Sequence, residues 1–248
     1  MAPQVQSRDE RLRSIVSPAI LDRLECRKTD VWGMMGRIAS PLHGGLDKPF
    51  FGMEYPMSHL DAMSRRILEK GGCEVMVFGP GRGEDLPEMV AAVGKMLDDR
   101  GKGGLIGGLH VDVFALTKAL GENARKVVRT DHSGTRKRPT PFELYENKSL
   151  IGKYDVIVDQ YGVCAKSYHP HRIVVKMADM LAPGGVAYIE AEMNELTYGG
   201  RKSSEKPDFL VESCEEFWRQ RRKGLDYRIT RASRPKERSQ WFVVERLR

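Results

Sequence analysis

The chain has 248 residues, 40% of them hydrophobic and 30% charged. That is enough for one full α/β core and too apolar for a disordered or fibrous protein. The 41 Lys and Arg against 34 Asp and Glu leave a net charge of +7, which permits a polyanionic partner without requiring one. Cys26, Cys73, Cys164 and Cys214 are widely spaced, which excludes a paired-cysteine zinc site or CxxC redox centre and points to reduced thiols in a cytoplasmic protein. No apolar run reaches the roughly 18 residues of a membrane span, and residues 1–13 are polar and charged, so neither insertion nor export is expected.

Residues 1–70 are expected to form an N-terminal cap of helices and loops, and 71–248 the main domain. In the cap, 17–26 suits a short helix and 36–51 a loop rich in Gly and Pro. Helical periodicity runs over 57–70 through Leu60, Met63, Ile67 and Leu68. From Gly71 the pattern alternates: strand 74–78, helix 86–99, strand 104–111, helix 115–120, strand 126–130. It resumes with strand 154–159, helix 172–181 and strand 185–191 after Pro183-Gly184-Gly185. Such alternation implies right-handed crossovers and a parallel sheet. The last two β-like runs, 226–231 and 240–247, flank Ser233-Arg234-Pro235-Lys236. They must be antiparallel to each other, because a parallel return needs a longer crossover.

The first strand leads into Gly79-Pro80-Gly81-Arg82-Gly83-Glu84-Asp85-Leu86, where three alternate glycines allow a sharp turn and close backbone approach to a ligand. The spacing is GxGxG; neither the GxGxxG of dinucleotide enzymes nor a GxxxxGK[ST] phosphate loop is present. About thirty residues on stands His110-Val111-Asp112-Val113, read as the close of the second strand. A carboxylate there could accept the hydroxyls of a ribose.

Together these residues resemble the class I S-adenosylmethionine-dependent methyltransferases. The resemblance covers most of 71–248 and extends through Arg129-Thr130-Asp131-His132, the run from Lys153 to Gly162, and Leu181-Ala182-Pro183-Gly184-Gly185. It implies a Rossmann-like α/β fold: a seven-stranded, mostly parallel sheet with an antiparallel terminal strand pair, here behind an N-terminal helical cap. It also implies S-adenosyl-L-methionine as cofactor, with Gly79, Gly81 and Gly83 around it, Asp112 on its ribose, Asp131 near its adenine, and Asp159 beside the methyl group. The family usually has an acidic residue two places before the first glycine, where this chain has Val77. Glu84 and Glu54 are the candidates to replace it.

Methyl transfer to oxygen or nitrogen depends chiefly on positioning, and a general base is optional. The catalytic candidates are Asp159 and Tyr161, after the fourth strand, and His169 in Tyr168-His169-Pro170-His171. Asp159 could equally cap its loop, and the histidines could be surface groups before a helix. Two His residues two apart without a third ligand make a poor metal site, and no metal is expected. Glu190 and Glu192 could hold a cationic acceptor or face solvent. Cys164 reads as an ordinary buried thiol. In the cap, Tyr55 and His59 are the substrate-binding candidates of an aromatic and Met-rich segment that could instead pack between cap and sheet. Basic clusters at 136–138, 219–223 and 231–238 would track phosphates if they converge. The expected acceptor is a small molecule or a nucleic acid; the alternative is a methyltransferase-like binding or scaffold protein without catalysis.

Overall fold

The computed structural model describes residues 58–80, 83, 85–114, 120–132, 148–160, 163–164, 170–192, 197–198, 201–202, 212, 214–215, 226–231 and 239–248. The elements expected at 17–26 and 36–51 lie outside them.

Seven strands form one sheet: β1 (Cys73–Phe78), β2 (Leu109–Phe114), β3 (Val128–Asp131), β4 (Tyr154–Gln160), β5 (Leu181–Glu192), β6 (Tyr227–Arg231) and β7 (Ser239–Arg246). Their order is β3-β2-β1-β4-β5-β7-β6. The first five are parallel, and β7 runs antiparallel to both β5 and β6. This is the Rossmann-like sheet with an antiparallel terminal pair. A separate short ladder joins Thr197–Tyr198 to Arg201–Lys202.

Strands buried on both faces need apolar side chains in both directions, and β1 and β4 supply them in nearly unbroken runs. On one face Val75, Val77, Val111, Val113, Val156 and Val158 pack against helices α1 (His59–Lys70) and α2 (Leu86–Asp98). Leu60, Met63 and Ile67 line α1 at helical spacing, and Met89, Val93 and Leu97 line α2. On the other face Met76, Phe78, Phe114, Ile157 and Ile189 meet Ile173, Val174 and Met177 of α4 (Pro170–Met180). Among the described residues no helix is long and apolar enough to cross a membrane.

Helix α1, placed in the cap by sequence, packs directly on the sheet. Ser58 starts it with a reciprocal capping box: its hydroxyl accepts the Asp61 amide, and the Asp61 carboxylate accepts the Ser58 amide. The Tyr188 hydroxyl donates to the Ser58 carbonyl at 3.2 Å. At the other end Lys70 reaches Asp155 at 2.7 Å, and Asp155 also accepts the Glu74 amide at 3.1 Å. The helix therefore runs opposite to the strands, with Ser58 toward their carboxyl ends.

Two expectations need correction. The strand expected at 104–111 lies at Leu109–Phe114, and Gly103–Gly108 forms a 3₁₀ turn. Four glycines in Gly-Gly-Leu-Ile-Gly-Gly have no side chains to pack in a ladder, whereas His-Val-Asp-Val-Phe alternates cleanly. The strand expected at 126–130 begins only at Val128, because Glu-Asn-Ala-Arg-Lys-Val folds as helix α3 (Glu122–Val127), rich in good helix formers. Of the helix expected at 115–120, only Leu120 is described, and it is not helical. In β5 the Pro183-Gly184-Gly185 turn is a bulge: Tyr154 pairs with Leu181, but Val156 pairs with Val186.

Candidate functional site

The strand order reverses between β1 and β4, and open α/β sheets bind ligands in the crevice at the carboxyl ends of such a pair. Phe78, the last residue of β1, is level with Asp159 of β4. Gly79 follows with φ 57° and donates its amide to the Phe114 carbonyl at 2.9 Å, which ties the end of β2 to the turn. Gly83, at φ 68°, donates to Pro80 and accepts from the Leu86 amide at 3.1 Å, so α2 starts directly from the glycine turn. A Cβ added to Gly83 would lie 2.9 Å from Ala124 Cβ and 3.2 Å from Leu120 Cδ2. Gly83 thus lets the turn pack closely on α3, the part a third glycine plays in such loops. Gly81 and Glu84 lie outside the described residues, as does Glu54.

Of the two readings of Asp159, the structure displays the loop cap. The side chain is fully buried; one oxygen accepts the Val163 amide at 2.8 Å and the other the Cys164 amide at 2.7 Å. This holds the turn after β4 against the crevice. Burial first, then the nearby Asp159 charge, pushes the Cys164 thiol well above its ordinary pKa, as for an unreactive thiol. The Cys214 thiol donates to the His171 carbonyl at 3.7 Å, and His171 itself is buried. Tyr161 and His169 lie outside the described residues, and so does Tyr55. His59 is 3% exposed and stands edge-on to the Tyr188 ring at 6.0 Å, within the packing between α1 and the sheet. Val77 is flanked by Val113 and Val158 in an apolar cluster, so the position where the resembling family carries an acid has no polar surroundings in that register.

Asp112 is not at the end of its strand but two residues before it, with no exposed surface. Arg129 Nε and Nη2 grip its two oxygens at 2.9 Å each. Lys153 Nζ donates to Oδ2 at 2.7 Å, the Tyr154 hydroxyl at 3.0 Å, and His132 Nε2 stands 3.2 Å away. Arg129 also chelates Glu74 through both terminal nitrogens, and Glu74 meets His110 Nδ1 at 2.9 Å. Burial would raise the pKa of Asp112, but the bonds from Arg129, Lys153, His132 and Tyr154 outweigh it and hold the carboxyl well below the usual range. The same balance, with Arg129 and His110 as donors, lowers Glu74. Burial and the Asp112 charge raise the Tyr154 phenol, which stays a donor.

Sequence reasoning missed this cluster. Its one local signal is the pair of polar residues two apart on neighbouring strands, Glu74 level with His110 and Asp112 level with Met76, which puts them on one face. Asp131 does reach the carboxyl end of its strand. It is exposed and lines a pocket with Leu120, Arg125, Val128 and Arg129.

No family model matches the chain, and no curated protein matches it. Solved structures do, at low identity. The N-methyltransferase NodS from Bradyrhizobium japonicum WM9, in complex with S-adenosyl-L-homocysteine, is 11% identical with a TM-score of 0.47, over 88% of this chain and 98% of that one. The plantazolicin methyltransferase BpumL, also with S-adenosylhomocysteine, is 12% identical with a TM-score of 0.46, over 92% and 100%. The CurJ carbon methyltransferase is 11% identical with a TM-score of 0.42; 71% of this chain matches, spanning 49% of that chain's length.

Proposed function

We propose that the chain is an S-adenosylmethionine-dependent methyltransferase acting on an oxygen or nitrogen of a small molecule. The observation that carries this is the positive-φ Gly79 turn at the switch point of a 3-2-1-4-5-7-6 sheet, in the loop whose sequence resembles the family's. The adenosyl group fits this crevice through backbone: Gly79 has no Cβ to hold a ligand off, and α2 opens from the turn. It does not fit Asp112, whose carboxylate is already satisfied.

Bound S-adenosylmethionine supplies an electrophilic methyl group on a sulfonium. The protein's own residues orient it and exclude water. Phe78 and Phe114, the last residues of β1 and β2, are fully buried with rings 6.1 Å apart in the apolar core from which the turn emerges. Asp159 braces the Val163–Cys164 turn beside it and is assigned here to positioning. Tyr161 and His169, which bracket that turn in sequence, are the proposed groups at the acceptor, and Tyr55 the proposed cap contact.

A second reading, a binding module without catalysis, is favoured by one observation: neither Val77 nor Asp112 presents a carboxylate to the crevice. Transfer of labelled methyl groups from S-adenosylmethionine to fractionated cell extract separates the two. A labelled product that requires the protein supports the enzyme. Binding of S-adenosylhomocysteine without any transfer supports the binding module, and absence of both removes the enzyme reading.

A further inference from the structure

We propose that the two carboxylates at this sheet edge divide two tasks that the motif would assign together. Asp112 is a sealed clamp on the edge strands and makes no contact with the ligand's sugar, while Asp131 keeps the ligand-side place that the resemblance implies for it. The second half rests on the proposed function; the first does not.

A carboxylate offers about four lone-pair directions. Asp112 receives two bonds from Arg129 and one each from Lys153 and Tyr154, with His132 as a fifth neighbour. It has no exposed surface on which a diol could displace them. The donors come from β3 and the residue after it and from the start of β4 and the residue before it, and Arg129 is held from behind by Glu74 on β1. To bind a ribose, Asp112, itself fully buried, would have to give up bonds from Arg129, Lys153 and Tyr154 that already fill its lone pairs, and two neutral sugar hydroxyls are weaker partners than two cations.

The same cluster accounts for the placement of Asp131. Val111 pairs with Val128, but Asp112 pairs with Thr130 and Val113 with Asp131, so Arg129 is the extra residue of a bulge. The bulge sends Arg129 across the sheet to Asp112 and Glu74. Beyond it, the His132 amide is tied to the Val113 carbonyl at 2.8 Å and its ring stands against Asp112. Asp131 thus lies between two anchored residues, exposed, in a pocket that shares Leu120 with the surroundings of Gly83. That gives a route from the glycine turn to the Asp131 carboxylate.

The test compares wild type, Asp112→Asn and Asp131→Asn by thermal unfolding and by calorimetric titration with S-adenosylhomocysteine at a temperature where each is folded. Asp131→Asn is expected to raise Kd about tenfold or more, the worth of one charge-assisted bond, with its unfolding midpoint unchanged. Asp112→Asn is expected to lower the midpoint by roughly 6 to 12 °C, the scale for breaking a buried ion pair in a chain of this size, and to leave Kd within about threefold. A chain that fails to fold with Asn at position 112 supports the clamp as well, since a ligand-facing carboxylate carries no such structural load. A tenfold weaker Kd with unchanged stability for Asp112→Asn overturns the first half, and an unchanged Kd for Asp131→Asn overturns the second. Should wild type bind no S-adenosylhomocysteine, the proposed function falls, while the unfolding midpoints still decide the role of Asp112.

Discussion

Asp112 and Val77 show how far a single position is read correctly without its neighbours. The resemblance gives Asp112 a sugar to bind, yet its partners stand 17 to 42 residues away along the chain, and no local spacing reveals such long-range pairing. The depressed pKa values of Asp112 and Glu74 give stability that is fully present above the unfolded-state carboxylate values near pH 4 and is lost as pH falls below them. Denaturant unfolding followed from neutral to acid pH should therefore lose stability steeply below about pH 4, and Asp112→Asn should flatten that loss. An equally steep loss in the variant would mean that other carboxylates dominate. Val77 makes the opposite case: introducing the acid of the resembling family with Val77→Asp buries an unpaired charge beside Val113 and Val158, at a cost of about 3 kcal/mol or more. A urea midpoint equal to wild type would show that a polar partner does reach this position.

At the level of elements, strands and helices with clean periodicity were legible from sequence: β1, β4, α1, α2 and the terminal β6–β7 pair lie within a residue or two of expectation. The misplacement of β2 by its glycines mattered most, because it moved Asp112 from the strand's end into its interior. The glycine turn was also read correctly as a turn, but Gly83 serves the packing of the turn on α3. Gly83→Ala combines a left-handed backbone with a Cβ that meets Ala124 and Leu86, so it should cost about 2 to 4 kcal/mol in chemical denaturation. A loss within experimental error would show that the turn has room to shift. At the start of α1, Ser58→Ala removes one side of the capping box and should cost about 1 kcal/mol.

For the molecule as a whole, the sheet order makes the crevice between β1 and β4 the natural ligand site. The acceptor was not legible, because the residues proposed to meet it, Tyr55, Tyr161 and His169, carry no spacing that names a substrate. The net charge of +7 keeps nucleic acid as the competing acceptor class. If it is the acceptor, binding must weaken steeply with salt, and replacing Arg136, Lys137 and Arg138 together must flatten that dependence. The proposed activity requires above all that the crevice hold an adenosyl ligand. Calorimetric titration of the folded chain with S-adenosylhomocysteine tests this directly. The predicted result is one-to-one binding with Kd well below about 1 mM, together with a raised unfolding midpoint at saturating ligand. No heat of binding and no shift of the midpoint at millimolar ligand would contradict it.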